Sequence, residues 1–187
     1  MTTLRILGIS GSLRKGANST AVLHTLMELV PAGLAITEHS LADIPLYNAD
    51  IDVPPRPEKA QAFMDAVSAA DGLLIVTPEY NYGAPGLLKN AIDWASRPAM
   101  KSPLLNKHAL IASQSPGGSG GVRANSQVRE ALLGCGARVI HYRQIAIGQA
   151  NAKISGGRLT DQASIDFAVA GLVELRREIL RARVDVD

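Results

Sequence analysis

Apolar residues recur along the chain in two alternating patterns. Leu4-Arg5-Ile6-Leu7-Gly8-Ile9 is a short, mostly branched run that stops at Ser10-Gly11, as a buried strand does. From about Ser19 to Val30 the spacing changes. Ala21, Val22, Leu26 and Leu29 form a helical stripe that Asn18 or Ser19 is placed to cap, and Pro31-Ala32-Gly33 ends it. Leu34–His39 alternates at Leu34, Ile36 and Glu38 and predicts a second strand. Residues 42–57 carry Pro45, Pro54, Pro55 and Pro57 without a period, so they predict a long surface loop. Glu58–Ala70 is a second helix with Ala62, Phe63, Ala66 and Val67 on one face, and Gly72–Thr77 is the clearest strand of the chain. A loop at Pro78–Pro85 leads to a third helix over Gly86–Ser96. His108–Ala112 is a fourth strand, Ser115–Gly121 a glycine-rich loop and Val122–Leu133 a fourth helix. Ala137–Tyr142 is a fifth strand. After a loop holding Gly156-Gly157, a final helix runs from about Asp161 to Arg181, capped by Thr160 or Asp161.

Five strands alternating with five helices predict an α/β fold, because parallel neighbours need a crossover. Right-handed crossovers leave few topologies. The expectation is a three-layer sandwich: a five-stranded parallel sheet in the order 2-1-3-4-5 with helices on both faces. Its ligand crevice would lie where strand order reverses, between strands 1 and 3. No internal repeat, low-complexity tail or linker divides the chain, so residues 1–187 are expected to form one domain.

Composition narrows the function. A formal net charge of +2 gives no strong field to draw the chain onto nucleic acid or anionic lipid. No apolar stretch approaches the ~20 residues of a membrane span, and Met1 leads within a few residues into the first strand without a secretory signal. The single cysteine, Cys135, cannot form an internal disulfide, so a cytoplasmic location is expected and the thiol is read as a small packed residue. His24, His39, His108 and His141 are scattered without metal-ligand spacing, so no metal is expected.

The loops after strands 1, 3 and 4 carry the candidate chemistry. The first, Ser10-Gly11-Ser12-Leu13-Arg14-Lys15-Gly16-Ala17-Asn18-Ser19, joins a buried strand to a helix N-terminus. Free N–H groups and the positive end of the helix dipole suit an anion there. Ser10, Ser12, Asn18 and Ser19 add neutral donors, and Arg14 adds a guanidinium able to fork onto a phosphate. Gly11 and Gly16 have P-loop spacing, but Ala17-Asn18 stand where Lys and Ser/Thr are needed, which argues against a triphosphate. Gly8 and Gly11 do not fit a dinucleotide fingerprint, so a monophosphate suits the loop better. The second loop, Thr77–Asn90, holds Tyr80 and Tyr82 between prolines and glycines. A rigid backbone of this kind can offer N–H and C=O groups to a flat heteroaromatic ring. Glu79 is open to a catalytic or a loop-ordering role, and Tyr82 to a ligand or a neighbouring subunit. The third loop, Ser115–Arg123, has four glycines in five positions that let backbone approach a ligand. It contains G-x-S-x-G around Ser119, but Gln114, Ser115, Pro116 and two glycines come between the strand and Ser119, and only Glu130, inside the helix that follows at once, lies between Ser119 and His141, so a hydrolase is not expected.

Taken together, these motifs resemble the NADPH-dependent FMN reductase family of flavodoxin-like proteins, in the group of bacterial quinone, azo-dye and chromate reductases. Gly11-Ser12-Leu13-Arg14-Lys15-Gly16 resembles that group's phosphate loop, and Asp43-Ile44-Pro45-Leu46-Tyr47 its proline-rich loop. Pro78-Glu79-Tyr80-Asn81-Tyr82, Pro85-Gly86 and Leu88-Lys89-Asn90-Ala91-Ile92-Asp93-Trp94 are similar to its flavin-ring signature. The resemblance implies non-covalent FMN, with NADPH or NADH as electron donor. Ser12, Arg14, Asn18 and Ser19 would surround the phosphate, and Pro78, Glu79, Tyr80 and Asn81 would run along the ring and ribityl chain. Ser115 and Gly118 would close the other side. The family commonly has a hydroxyl residue where Ala17 stands, so one phosphate hydrogen bond would be either missing or replaced by Ser19 or Thr20. The resemblance further implies ping-pong hydride transfer through flavin N5 to a quinone, azo dye, chromate or free flavin. No protein acid or base is assigned to the reaction. A homodimer or homotetramer is also implied, with Tyr82 and the third helix near the interface. The alternative is a non-enzymatic flavin electron carrier or an FMN-binding interaction protein, although carriers tend to be strongly acidic and this chain is near neutral.

Overall fold

The computed structural model of the chain describes residues 3–184. Strands β1 (Leu4–Ser10), β2 (Leu34–Glu38), β3 (Gly72–Pro78) and β4 (His108–Gln114) form the body of a parallel sheet. With β5 (Arg138–Val139) the order is β2-β1-β3-β4-β5, the order that the alternation predicts. Strands β1 and β3 run side by side from Ile6↔Gly72 to Ser10↔Val76, so both end at the same edge of the sheet.

Side chains alternate across each strand and divide the core into two layers. Leu4, Ile6, Leu74, Val76, Leu110 and Ala112 face α1 (Asn18–Glu28) and the terminal helix α6 (Gln162–Val184). Leu7, Ile9, Leu73, Ile75, Ala109 and Ile111 face α2 (Glu58–Ala69), α3 (Gly86–Ala95) and α4 (Val122–Gly134). The sheet is buried on both sides, which is why its central strands read as unbroken apolar runs.

The structure corrects the sequence expectation at four points, each for a local reason. First, α1 begins at Asn18, and its N-cap is Ala17 in extended conformation, so neither Asn18 nor Ser19 caps it. Second, β4 continues past Ala112 to Gln114, paired on one side with β3 as far as Pro78 and on the other with a further strand, β6 (Ile145–Ile147), at Ala112, Ser113 and Gln114. Third, the expected strand over Ala137–Tyr142 pairs only at Arg138 and Val139. The chain then leaves the sheet: the Tyr142 hydroxyl donates to the Phe167 carbonyl at 2.9 Å, and its ring packs on Phe167, before β6 returns. Fourth, the loop around Gly156-Gly157 is a short antiparallel hairpin, β7 (Ile154–Ser155) and β8 (Arg158–Leu159). Both glycines have positive φ, the conformation of a two-residue hairpin turn. The one-turn helix α5 (Ala150–Lys153) precedes it. Asp161 does cap α6: its carboxylate accepts from the Ser164 N–H at 3.0 Å. Burial pushes the Cys135 thiol up, in keeping with a packed side chain rather than a reactive one.

The proline-rich loop is held from α3. The Asn90 Oδ1 accepts from the Tyr47 N–H at 2.7 Å, and the Asn90 amide donates to the Pro45 carbonyl at 2.9 Å. The fully buried Trp94 adds an indole N–H to that carbonyl at 2.8 Å. Trp94→Phe keeps much of the ring volume but removes this donor. It is expected to lower stability by about 1–3 kcal/mol, combining the lost bond with a smaller packing loss. Urea unfolding followed by circular dichroism checks this, and an unchanged midpoint contradicts it.

Candidate active site

The carboxyl ends of β1, β3 and β4 open into one cleft of about 280 Å³. Gly11 allows them to come together. Its N–H donates to the Val76 carbonyl at 2.8 Å, and a Cβ at this position would lie 2.9 Å from Pro78 Cδ and 3.2 Å from Thr77 Cα. Any side chain here would push the first loop away from the third strand.

The cleft is lined by Ser12, Arg14, Ala17, Asn18 and Ser19 from the first loop and α1. Pro78, Glu79, Tyr80, Gln114, Pro116 and Asn151 complete it. Seven of the sequence-predicted site residues therefore meet in one place. Ser10 lies just beneath: its Oγ bonds Ser19 Oγ at 3.1 Å and Thr20 Oγ1 at 2.9 Å, fastening the first turn of α1 to the end of β1. Asn81, Ser115 and Gly118 stand on the surrounding loops, outside this lining. Ala17, Gln114, Pro116 and Asn151 are the lining residues that sequence reasoning did not select.

A helix leaves its first-turn N–H groups without partners inside the helix. In α1 no side chain caps them, because the N-cap is an alanine. Ala17 thus leaves those donors free for a ligand. Asn18 is oriented by Asn151, whose Oδ1 accepts from the Asn18 amide at 2.9 Å. The Arg14 guanidinium has one long contact, 3.4 Å, to the Lys15 carbonyl and borders the cleft.

The loop after β3 is rigid for identifiable reasons. Asn81 and Tyr82 both adopt left-handed backbone, and Tyr80 and Gly83 exchange backbone hydrogen bonds of 3.0 Å each way around them. Tyr80 Oη meets Ser12 Oγ at 3.2 Å and ties this loop to the first. Glu79 reaches the other way. Its carboxylate accepts from the backbone N–H of Arg123 at 3.0 Å and of Ala124 at 3.3 Å, at the N-terminus of α4, and from the Arg123 guanidinium at 2.9 Å. That arrangement satisfies orphan helix donors and places a negative charge at the positive end of the dipole. Of the two roles open to Glu79, loop ordering is the one this geometry performs. The Arg123 guanidinium also lies 4.1 Å from the Tyr82 ring centre, and Gln127 Oε1 accepts from the Ala84 N–H at 2.9 Å. The loop after β4 is drawn against β6: Gly120 has positive φ, and a Cβ there would lie 2.6 Å from the Ala146 carbonyl carbon.

The cleft therefore offers uncapped helix N–H groups, a serine hydroxyl, an asparagine amide and a guanidinium from the first loop and α1. The loop after β3 adds prolyl and tyrosyl surfaces over fixed backbone. Its one carboxylate, Glu79, is already engaged on α4. Such a donor set fits a molecule with a phosphate at one end and a flat ring at the other.

Comparison with known proteins agrees with that chemistry. The family model described as NADPH-dependent FMN reductase matches residues 4–152, a span that includes every cleft residue. The chain belongs to this family. Over 181 residues it is 39% identical to an NAD(P)H-dependent FMN reductase of Pseudomonas aeruginosa, covering 96% of this chain and 97% of that one. Over 185 residues it is 37% identical to a quinone reductase of Escherichia coli, covering 97% and 98%. Among solved structures it is similar to FerB, a flavoenzyme NAD(P)H:(acceptor) oxidoreductase from Paracoccus denitrificans, with a TM-score of 0.83 and 29% identity. That match covers 94% of this chain and 98% of the other. The flavodoxin-like fold and the FMN reductase membership therefore stand on both sequence and structure.

Removing the Glu79 carboxylate leaves two N–H groups at the start of α4 without an acceptor. Glu79→Ala is expected to cost about 1–2 kcal/mol of stability. Denaturant unfolding of the variant measures it, and a midpoint equal to that of the parent protein contradicts the loop-ordering role.

Proposed function

We propose that this FMN reductase family member is a cytoplasmic NAD(P)H-dependent oxidoreductase that uses non-covalent FMN to reduce quinones or similar small acceptors, such as azo dyes, chromate or free flavin. The observation that carries the reading is the convergence of an uncapped helix N-terminus and a rigid aromatic loop on one cleft, in a chain matched to this family over residues 4–152.

The chemistry that bound FMN supplies is two-electron exchange between a reduced nicotinamide and the acceptor; the protein supplies binding, orientation and electrostatics. The first-turn N–H groups of α1, with Ser12, Arg14, Asn18 and Ser19, hold the phosphate. Ser10 keeps that turn seated on β1. Pro78, Glu79, Tyr80 and Asn81 present largely backbone groups along the ribityl chain and ring, and Ser115 and Gly118 close the opposite side. Ala17 removes a competing side-chain cap, which accounts for an alanine where the family commonly carries a hydroxyl. No side chain is assigned as an acid or base, since Glu79 is engaged on α4 and solvent is available to protonate the product. The whole chain acts as one FMN-binding domain.

A homodimer or homotetramer is the assembly we favour, with the Tyr82 turn near the interface. Tyr82 is 71% exposed yet held rigidly by its turn and by Arg123, which suits a contact with another subunit. Among the described residues no helix is long and apolar enough to cross a membrane.

The test is anaerobic mixing of the FMN-loaded protein with NADPH. The flavin absorbance is expected to bleach within seconds and to recover when a quinone is added. An electron carrier or a scaffold would not bleach on that timescale, and that result overturns the reductase reading.

A further inference from the structure

One side chain at the floor of the cleft is unsatisfied by the protein itself. Gln114 is the last residue of β4, in register with Pro78 of β3 on one side and Ile147 of β6 on the other. It is 4% exposed, and its Oε1 is buried without a hydrogen-bond partner. Two other buried side-chain atoms share this condition among the described residues, Arg97 Nε and Arg176 Nε, and both are donors outside the cleft. Gln114 contributes the one acceptor. A buried acceptor left open costs stability that an apolar side chain of the same length would not, so its presence calls for a partner.

Strand geometry says which partner. Side chains alternate along β4: Leu110 and Ala112 pack in the layer of α1 and α6, whereas Ala109 and Ile111 pack in the layer of α3 and α4. Gln114 follows the parity of Leu110 and Ala112 and so faces the α1 side. Among the cleft residues this is the end beside the uncapped helix N-terminus, where the proposed function seats the phosphate. An acceptor there needs an O–H or N–H donor from the ligand. The donors next to the phosphate in FMN are the ribityl hydroxyls, whereas its ring N–H lies at the far end of the molecule.

We propose that Gln114 is a cofactor-contacting residue whose Oε1 accepts a hydrogen bond from a ribityl hydroxyl of FMN, which completes an interaction that the protein alone leaves open. This rests on the FMN reading above. It makes the site selective for a polyhydroxylated chain between ring and phosphate, not only for the two ends.

The test titrates apoprotein by quenching of flavin fluorescence. Two ligands are used: FMN, and a flavin carrying a phosphopentyl chain at N10, which keeps ring and phosphate but lacks the hydroxyls. Gln114→Met keeps the length of the side chain without the acceptor, and Gln114→Leu is a second version should Met disturb packing. Each variant is expected to bind FMN about tenfold more weakly than the parent protein, with affinity for the phosphopentyl flavin unchanged. The thermal midpoint of the variant apoprotein is expected to equal or exceed that of the parent, because the unpaired acceptor is gone. FMN affinity that is unchanged, or that falls equally for both ligands, overturns the proposal while leaving the FMN reading intact. Failure of the parent protein to bind FMN overturns both.

Discussion

The structure depends on how closely the ends of β1 and β3 approach each other. A 2.8 Å hydrogen bond from the Gly11 N–H to the Val76 carbonyl carries the pairing of these strands one residue beyond Ser10. There is no room for a side chain between Gly11 and Pro78. The first loop must therefore turn away at once, and it delivers α1 with its N-terminus over the crevice. The loop after β3 rises beside it, near enough for Tyr80 and Ser12 to share a hydrogen bond. Strand order reverses here, so nothing from a neighbouring crossover covers the opening.

The remaining elements hold this opening in shape. The Ser10–Ser19–Thr20 hydroxyl cluster anchors the helix from below. Glu79 and Gln127 clamp the second loop to α4, while Asn90 and Trp94 fix the proline-rich segment to α3. The polar groups of the loops are thus mostly spent on one another. Those left over, the first-turn donors of α1, the Arg14 guanidinium and Gln114 Oε1, border one cleft. A binding site here is the set of groups that folding leaves unsatisfied, and preorganisation means that little has to be ordered when a ligand arrives.

Much of this was legible in the sequence, because the signals are local. The buried strands, the amphipathic helices and the sheet order follow from apolar periodicity, and the loops after strands 1, 3 and 4 stand out by composition. The parts that were not legible depend on contacts distant in the chain. Gln114 looks like a loop residue until β3, more than thirty residues earlier, and β6, more than thirty residues later, pair with it from either side. Asn151 lies in a stretch without a motif and enters the site only because α5 brings it to Asn18. The fifth strand breaks because Tyr142 finds a partner on α6, which no window around residue 140 reveals. The hairpin at Gly156-Gly157 is different: two glycines between short branched and polar runs are a recognised turn signal, so it was readable. Ala17 is the instructive position. In sequence it departs from the hydroxyl that the resemblance leads one to expect; in the fold it is the N-cap that leaves the helix donors open.

The central claim is that the cleft at the β1–β3 crevice holds FMN by its phosphate, on the N-terminus of α1. The most direct measurement compares FMN with riboflavin, which has the same ring and ribityl chain without the phosphate, in equilibrium titrations of the apoprotein. The account predicts that FMN binds far more tightly than riboflavin and that the gap narrows in Arg14→Ala. Equal affinities for the two flavins would contradict it.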